Sequence, residues 1–177
     1  MNEENKTEIK LDLGCGNDKK PGFIGIDKYM EPGVTDVIVD LDAPGMTLPY
    51  SDDSVTEIRA EHFLEHIHNL FPLMNECHRV LKKDGIFEII VPLFPSRSSM
   101  DDHTHVRFFT KSTFHYFTKN PPGNYKNPDL KGTWRVLLND WSPLVHEEGD
   151  RIIYSDMREL HIIIVPDKEV YVRSLLS

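Results

Sequence analysis

Gly14, Gly16 and Asp27 are the first residues of this chain whose types and spacing could do chemistry. Ile9, Leu11 and Leu13 precede the glycines in the pattern of a buried strand, and Phe23, Ile24 and Ile26 form a second apolar run that ends on the Asp27 carboxylate. In an open parallel sheet, small ligands sit outside the carboxyl ends of the strands. There, glycines allow close backbone approach, and a carboxylate accepts hydrogen bonds from the two hydroxyls of a sugar. The pattern describes a site for a nucleoside-bearing cofactor; the bland alternatives are an ordinary tight turn and a solvent-facing charge at a strand end. A dinucleotide fits less well. Lys19 stands where G-x-G-x-x-G requires its third glycine, and Asp27 follows Gly16 by eleven residues rather than about 20. A complete G-x-x-x-x-G-K-[ST] phosphate loop is also missing from the sequence.

A second constellation is His62-Phe63-Leu64-Glu65-His66, which matches the H-x-x-E-H pattern of a metallopeptidase. On a helix, His62 and His66 would share a face and bind zinc with Glu65 as base, and His103 or His105 would add a ligand. This reading leaves the glycine loop, Asp27 and the segment 48–55 unexplained, so no metal is expected. Substrate work is the more economical role. Glu61 and His62 directly follow one predicted strand, and His105-Val106-Arg107-Phe108-Phe109 follows another near the same mouth. His62 or His105 would then serve as a general base near neutral pH, with a structural or solvated histidine as the alternative. Arg107 would bind a substrate carboxylate or phosphate, or else hold the acidic Asp101-Asp102 pair.

These residues need a scaffold, and the pattern predicts an α/β one. Val34 to Leu41 and Val55 to Ala60 read as strands, and Ile86 to Val91 as a central strand stopped by Pro92. Between the last two, Asn69 is placed to cap a helix with Leu70, Leu73, Met74, Cys77, Val80 and Leu81 on one face and Gly85 beyond its end. Strand, connection and helix in turn favour a mostly parallel, Rossmann-like sheet with helices on both faces over a sandwich. The nine residues from Gly14 to Gly22 are short for a crossover, which needs about a dozen, so one helical turn or an irregular link is expected there. Phe109, Thr110 and Phe114 predict a hydrophobic staple that starts a short helix through Phe117. Residues 94–132 are expected to form a substrate-side lid and loop. Strands at Trp134 to Leu138 and Leu160 to Val165, separated by the turn-forming stretch Ser142 to Asp150, would add an antiparallel pair at one edge.

With 177 residues, 1–177 is most economically one domain with a sizeable core. The 29 acidic residues against 20 basic ones give a net charge of -9, which disfavours a nucleic-acid partner without excluding a local basic groove. Lys111, Lys119, Lys126 and Lys131 among Phe114, Tyr116, Phe117 and Tyr125 make only a weak basic-aromatic surface. No apolar run has transmembrane length and no signal-peptide pattern opens the chain, so no membrane partner and a cytoplasmic location are the expectation. Cys15 and Cys77 read as free thiols.

The ordered pieces of the sequence resemble the class I S-adenosylmethionine-dependent methyltransferases. Asp12-Leu13-Gly14-Cys15-Gly16 is similar to their first cofactor motif, and Leu48-Pro49-Tyr50-Ser51-Asp52-Asp53-Ser54-Val55 to their LPF-x-D-x-S-F segment. His62 to His66 and His78-Arg79-Val80-Leu81-Lys82-Lys83-Asp84-Gly85 resemble the helix that follows, with Lys83-Asp84-Gly85 in place of Pro-Gly-Gly. The resemblance runs from Ile9 to Phe117. It implies that Gly14, Cys15 and Gly16 lie against the methionine portion of S-adenosyl-L-methionine, that Asp12 orients its ammonium group, and that Asp27 takes the ribose hydroxyls. Asp40 and Leu41 would sit beside the adenine, with Asp42 competing for the acidic role; Asp12 could instead stabilise a local turn, and Asp40 could be a bland loop acid. The implied reaction is in-line transfer of the sulfonium methyl to an acceptor, a small molecule or protein before a nucleic acid. A cofactor-binding module without turnover is the alternative.

Overall fold

The structure is a computed structural model and describes residues 8–148 and 151–168. Its centre is a seven-stranded sheet in the order β3-β2-β1-β4-β5-β7-β6. The strands are β1 Ile9–Leu13, β2 Ile24–Asp27, β3 Val37–Ile38, β4 Val55–Glu61, β5 Leu81–Pro92, β6 Trp134–Glu148 and β7 Arg151–Pro166. The pairs among β1 to β5 are parallel, whereas β7 runs antiparallel to both β5 and β6. The mostly parallel sheet with an antiparallel pair at its edge is therefore present as the sequence predicts.

Register explains why these strands alternate. Leu11 pairs with Ile58, Ile58 with Phe87 and Phe87 with Ile164, and in the next row Leu13, Ala60, Ile89 and Ile162 follow one another in the same way. All eight side chains are buried. One sheet face is thus an unbroken apolar layer, in one core with Leu73, Met74, Cys77 and Val80 of helix α1, Leu70–Val80. Along the opposite face the register sets charge beside charge: Lys10 beside Glu57, at 3.0 Å, and Arg59 beside Glu88, at 3.2 Å. Lys20 reaches down to Glu88 at 3.1 Å from the loop after β1.

That second face is where the expectation of helices on both sides is met only thinly. Among the described residues, α1 is the one long helix, and α2, Arg97–Met100, has a single turn. The Gly14 to Gly22 connection is turns and irregular chain, short as its length requires. Its Lys20 N–H donates to buried Asp12 at 2.8 Å, which draws the loop across the charged face.

Other local expectations shift for identifiable reasons. Asn69 does precede α1 but makes no side-chain cap, because its amide donates to the Asp42 carbonyl at 2.6 Å. β3 shortens to two residues. The helix gives way to β5 at Leu81, which pairs with Val55, and Glu57 then pairs with Ile86, so that 82–85 bulge out and Gly85 is no helix cap. The stretch from Ser142 that reads as a turn continues β6 as far as Glu148. The aromatic staple forms: Phe109 and Phe114 stack with centroids 5.6 Å apart, and a 3-10 turn spans Thr113–Phe117. Both cysteines are buried and free.

His78 on α1 is buried edge-on against Trp134. Burial first, and the Lys168 ammonium second, lower its pKa to about 4. The unfolded chain takes up this proton near the ordinary value of 6.5, so between those two pH values the unfolded state holds more protons and stability falls as pH falls. Urea denaturation across this window should show a loss on the order of 2–3 kcal/mol attributable to this residue. His78→Gln should flatten that part of the curve; an unchanged slope in the variant would count against a neutral buried imidazole.

Candidate functional site

The carboxyl ends of β1, β2 and β4 meet at a cavity of about 470 Å³. After β1 the chain turns through Gly14 at φ +65° and Gly16 at φ +52°. This left-handed backbone aims the Gly14 N–H at the Ile26 carbonyl, at 2.8 Å, and the Gly16 N–H at Asp27 Oδ2, at 3.1 Å. The other oxygen of Asp27, Oδ1, accepts the Tyr29 N–H at 3.0 Å. Each carboxylate oxygen thus has one backbone donor that fixes its direction, and each retains capacity for a further donor.

Gly14 is required sterically as well as conformationally. A Cβ at this position would lie 2.1 Å from the Phe63 ring. The absent side chain therefore lets the turn after β4 close against the loop after β1. Asp40, Leu41 and Asp42 also line the cavity, where the Val39 N–H donates to the Asp27 carbonyl at 3.0 Å. The two acids are not equivalent: Asp42 accepts the Asn69 N–H at 2.7 Å and meets His68 Nδ1 at 3.0 Å, whereas exposed Asp40 accepts only the Asp42 N–H, at 3.1 Å, among the hydrogen bonds found for its side chain. Of the two acids, Asp40 is the less engaged.

Of the expected cofactor residues, Gly14, Asp27, Asp40 and Leu41 line this cavity. Gly16 stands beside it through its bond to Asp27. Asp12 lies underneath: burial pushes its carboxyl above the usual range, and it holds the Lys20 N–H, which is the local-turn role. Buried Cys15 packs toward Gly25, where a Cβ would come within 2.9 Å of Cys15 Sγ, so only the Cys15 backbone belongs to the loop.

The acceptor-side residues are arranged differently from the sequence expectation. The H-x-x-E-H segment is not an α-helix: His62 has φ +49° and only Leu64–His66 form a 3-10 turn, so His62 and His66 do not share a helical face. His62 lines the cavity between Glu65, with Nδ1 to Oε1 at 3.5 Å, and Glu159, with Nε2 to Oε1 at 3.0 Å. Glu65 first and then, against the opposing effect of burial, Glu159 raise its pKa to about 9. A histidine held as a cation is not a general base at neutral pH, so that role passes away from His62. His105 is nearly enclosed, its side chain 7% exposed, with Nδ1 on the Ser99 carbonyl at 3.1 Å. Glu61 pairs with Arg59 on the charged sheet face. Arg107 donates to the Ile67 carbonyl at 2.6 Å and to that of His68, so its guanidinium fastens the turn after β4 rather than reaching for a substrate anion or for Asp101-Asp102. The segment 94–132 touches the cavity at Thr104. Phe63 and Thr104 are wall residues that sequence reasoning does not assign, and His66 is one to which it gives only a zinc-ligand role; the one signal for Phe63 is its place two residues beyond the end of β4.

Comparison with known proteins agrees with this fold. Residues 27–89 match the family model described as a methyltransferase domain, a stretch that begins at Asp27 and leaves the glycine loop outside. Among solved structures, a candidate methyltransferase from Bacillus halodurans superposes with a TM-score of 0.59 over 92% of this chain and 93% of its own, at 14% identity. A SAM-dependent methyltransferase from Archaeoglobus fulgidus gives 0.56 over 90% and 86%, at 17% identity. The [4+2]-cyclase SpnF gives 0.54 over 89% and 75%, at 16% identity. A search of curated proteins finds no match in sequence. The chain is a small protein of the class I methyltransferase fold.

Gly14→Ala should cost about 1–3 kcal/mol in urea unfolding, from the left-handed backbone and the Phe63 collision together. Adding Phe63→Ala should restore part of that loss relative to the Phe63→Ala single variant, because the collision disappears and the backbone term stays. Strict additivity of the two substitutions would contradict the contact.

Proposed function

We propose that this protein binds S-adenosyl-L-methionine between the Gly14 loop and Asp27 and transfers its methyl group to an acceptor. The observation that carries the reading is the Asp27 carboxylate. It stands at the end of β2, is oriented by two backbone N–H groups, and lines a cavity of about 470 Å³ together with Asp40 and Leu41. Such a cavity falls within the range of about 300–1,000 Å³ usual for small-ligand sites. The residues present fit the cofactor: Asp27 for the ribose hydroxyls, Asp40 and Leu41 for the adenine, and the Gly14–Gly16 backbone for the amino-acid end. When bound, S-adenosyl-L-methionine supplies an electrophilic methyl on a sulfonium.

The chain's own contribution is binding, orientation and exclusion of water, which together supply much of the rate enhancement in a displacement of this kind. His62, with both ring nitrogens turned to carboxylates that raise its pKa to about 9, is not placed to remove a proton from an acceptor. An acceptor whose nucleophilic atom is already unprotonated fits this wall best, and a small molecule or a protein side chain is the favoured class given the net charge of -9. Among the described residues, no helix is long and apolar enough to cross a membrane.

The two carboxylates that hold both ring nitrogens of His62 take it out of general-base work, and this favours a second reading, a cofactor-binding module that does not transfer methyl. The likeness to a protein described as a [4+2]-cyclase shows that this fold carries chemistry other than methyl transfer.

Calorimetry should show saturable binding of S-adenosylhomocysteine, and Asp27→Ala should weaken it about 10- to 100-fold through loss of charge-assisted hydrogen bonds to the ribose. Incubation with methyl-labelled cofactor and fractionated cell extract should then give a labelled product that needs the wild-type chain. Binding without any labelled product would select the silent module, and no binding at all would overturn both readings.

A further inference from the structure

Among the described residues, Glu65 is a buried side chain whose partners the fold does not supply. It is 1% exposed, and neither carboxylate oxygen has a hydrogen-bond partner. An ionised carboxylate in that setting is costly unless a cation compensates it. His62 Nδ1 is the charge partner already facing Oε1, but at 3.5 Å it stands at the outer limit of a hydrogen bond, and Oε2 has no partner at all. Two further imidazoles converge on the same point. Ligand atoms of Glu65, His66 and His105 all lie within 4.8 Å of one another, and His105 Nε2 is 4.0 Å from Glu65 Oε1.

The imidazoles are also oriented for ligation. His105 Nδ1 faces the Ser99 carbonyl at 3.1 Å, where it donates, so Nε2 is the nitrogen left for a ligand, 4.0 Å from Glu65 Oε1 and 3.8 Å from Asp102 Oδ2. His66 Nδ1 faces Thr104, 3.0 Å from Oγ1 and 3.3 Å from the carbonyl oxygen, which leaves Nε2 for a ligand. Thr104 Oγ1 in turn donates to Asp102 Oδ1 at 2.7 Å. A histidine whose second nitrogen is fixed by a carbonyl or a hydroxyl–carboxylate relay is the usual outer arrangement of a metal ligand. The two segments that supply the three residues are tied together, since the Glu65 carbonyl accepts the N–H groups of Val106 and Arg107 at 2.9 and 3.2 Å.

We propose that Glu65, His66 and His105 form a binding site for a divalent transition-metal cation. Two imidazole nitrogens and one carboxylate suit zinc, iron(II), cobalt(II) or manganese(II), and such a set leaves coordination positions for water or another ligand. A hard calcium-type site, built from oxygen ligands alone, is a poorer match. The ligand set differs from the H-x-x-E-H reading, because His62 is outside it and Glu65 binds rather than acts as base. It also departs from the sequence-based expectation of no metal. His66 and Thr104 line the cavity beside Gly14 and Asp27, which places the ion at the wall of that cavity. The site does not depend on methyl transfer, and it is measured with the metal alone.

The test is titration of the purified full chain, stripped with a chelator, with zinc chloride and separately with cobalt(II) chloride. One equivalent should bind with micromolar or tighter affinity and raise the melting temperature by mass action. Glu65→Gln, His66→Asn and His105→Asn should each weaken binding at least about tenfold, as loss of a direct ligand should exceed the loss of an outer partner. His115→Asn, on an exposed histidine, should not weaken it. As a guard against variants that fold poorly, imidazole NMR of the wild-type chain provides the independent reading: of the nine histidines, His66 and His105 should show the largest shifts with cobalt(II). Absence of binding by the wild type, undiminished affinity in folded Glu65→Gln and His105→Asn, or cobalt(II) shifts centred on other histidines would overturn the site.

Discussion

Gly14 donates to the Ile26 carbonyl and Gly16 to the Asp27 carboxylate, and these bonds form only because both glycines occupy left-handed backbone. They join the loop after β1 to the end of β2, so two neighbouring parallel strands finish at one fixed point. The same carboxylate that closes the loop is the one that faces the cavity. Its direction is therefore set by the main chain and not by a mobile side-chain partner. The missing Cβ at Gly14 extends the constraint to a third strand, because Phe63 fills the space and brings the turn after β4 against the loop. A site shaped at the ends of three strands inherits the rigidity of the sheet beneath it.

The sheet itself achieves this with little helical cover. Parallel sheets are ordinarily buried on both faces and their strands read as continuous apolar runs. β1 and β4 alternate instead, and the register turns the alternation into one apolar layer and one layer of paired charge. Lys10 with Glu57, and Arg59 and Lys20 with Glu88, satisfy a face that a short first crossover leaves without a helix. Individual pairs of this exposure contribute little, about 0–1 kcal/mol each. Their consequence is specificity: a one-residue slip of β4 would put Arg59 and Glu57 into the core.

Much of this arrangement is legible in the sequence because its signals are local. Alternation in Val55 to Ala60, the glycine pair, the acid at the end of β2 and the Phe109 to Phe114 staple each depend on a few neighbouring residues, and each stands in place. The strand-connection-helix pattern overstates the helical cover because the connection from Gly14 to Gly22 is too short to hold a helix that packs. The histidine segment misleads for the opposite reason. Spacing at i and i+4 assumes helical backbone, and His62 at φ +49° breaks that assumption at its first residue. Arg107 is unreadable as a clamp because its partners are main-chain carbonyls of Ile67 and His68, which carry no sequence signature. The meeting of Glu65 with His105 likewise rests on tertiary pairing of the Glu65 carbonyl with Val106 and Arg107, which no periodicity announces.

The central claim is that the junction of β1 and β2 is built for an adenosyl cofactor, and a crystal structure of the chain grown with S-adenosylhomocysteine addresses it most directly. The ribose hydroxyls should lie within hydrogen-bond distance of Asp27, with the adenine beside Leu41 and the amino-acid end over Gly14 and Gly16. A well-ordered structure in which the ligand lies elsewhere, or in which Phe63 fills the cavity and no ligand enters at saturating concentration, would contradict it.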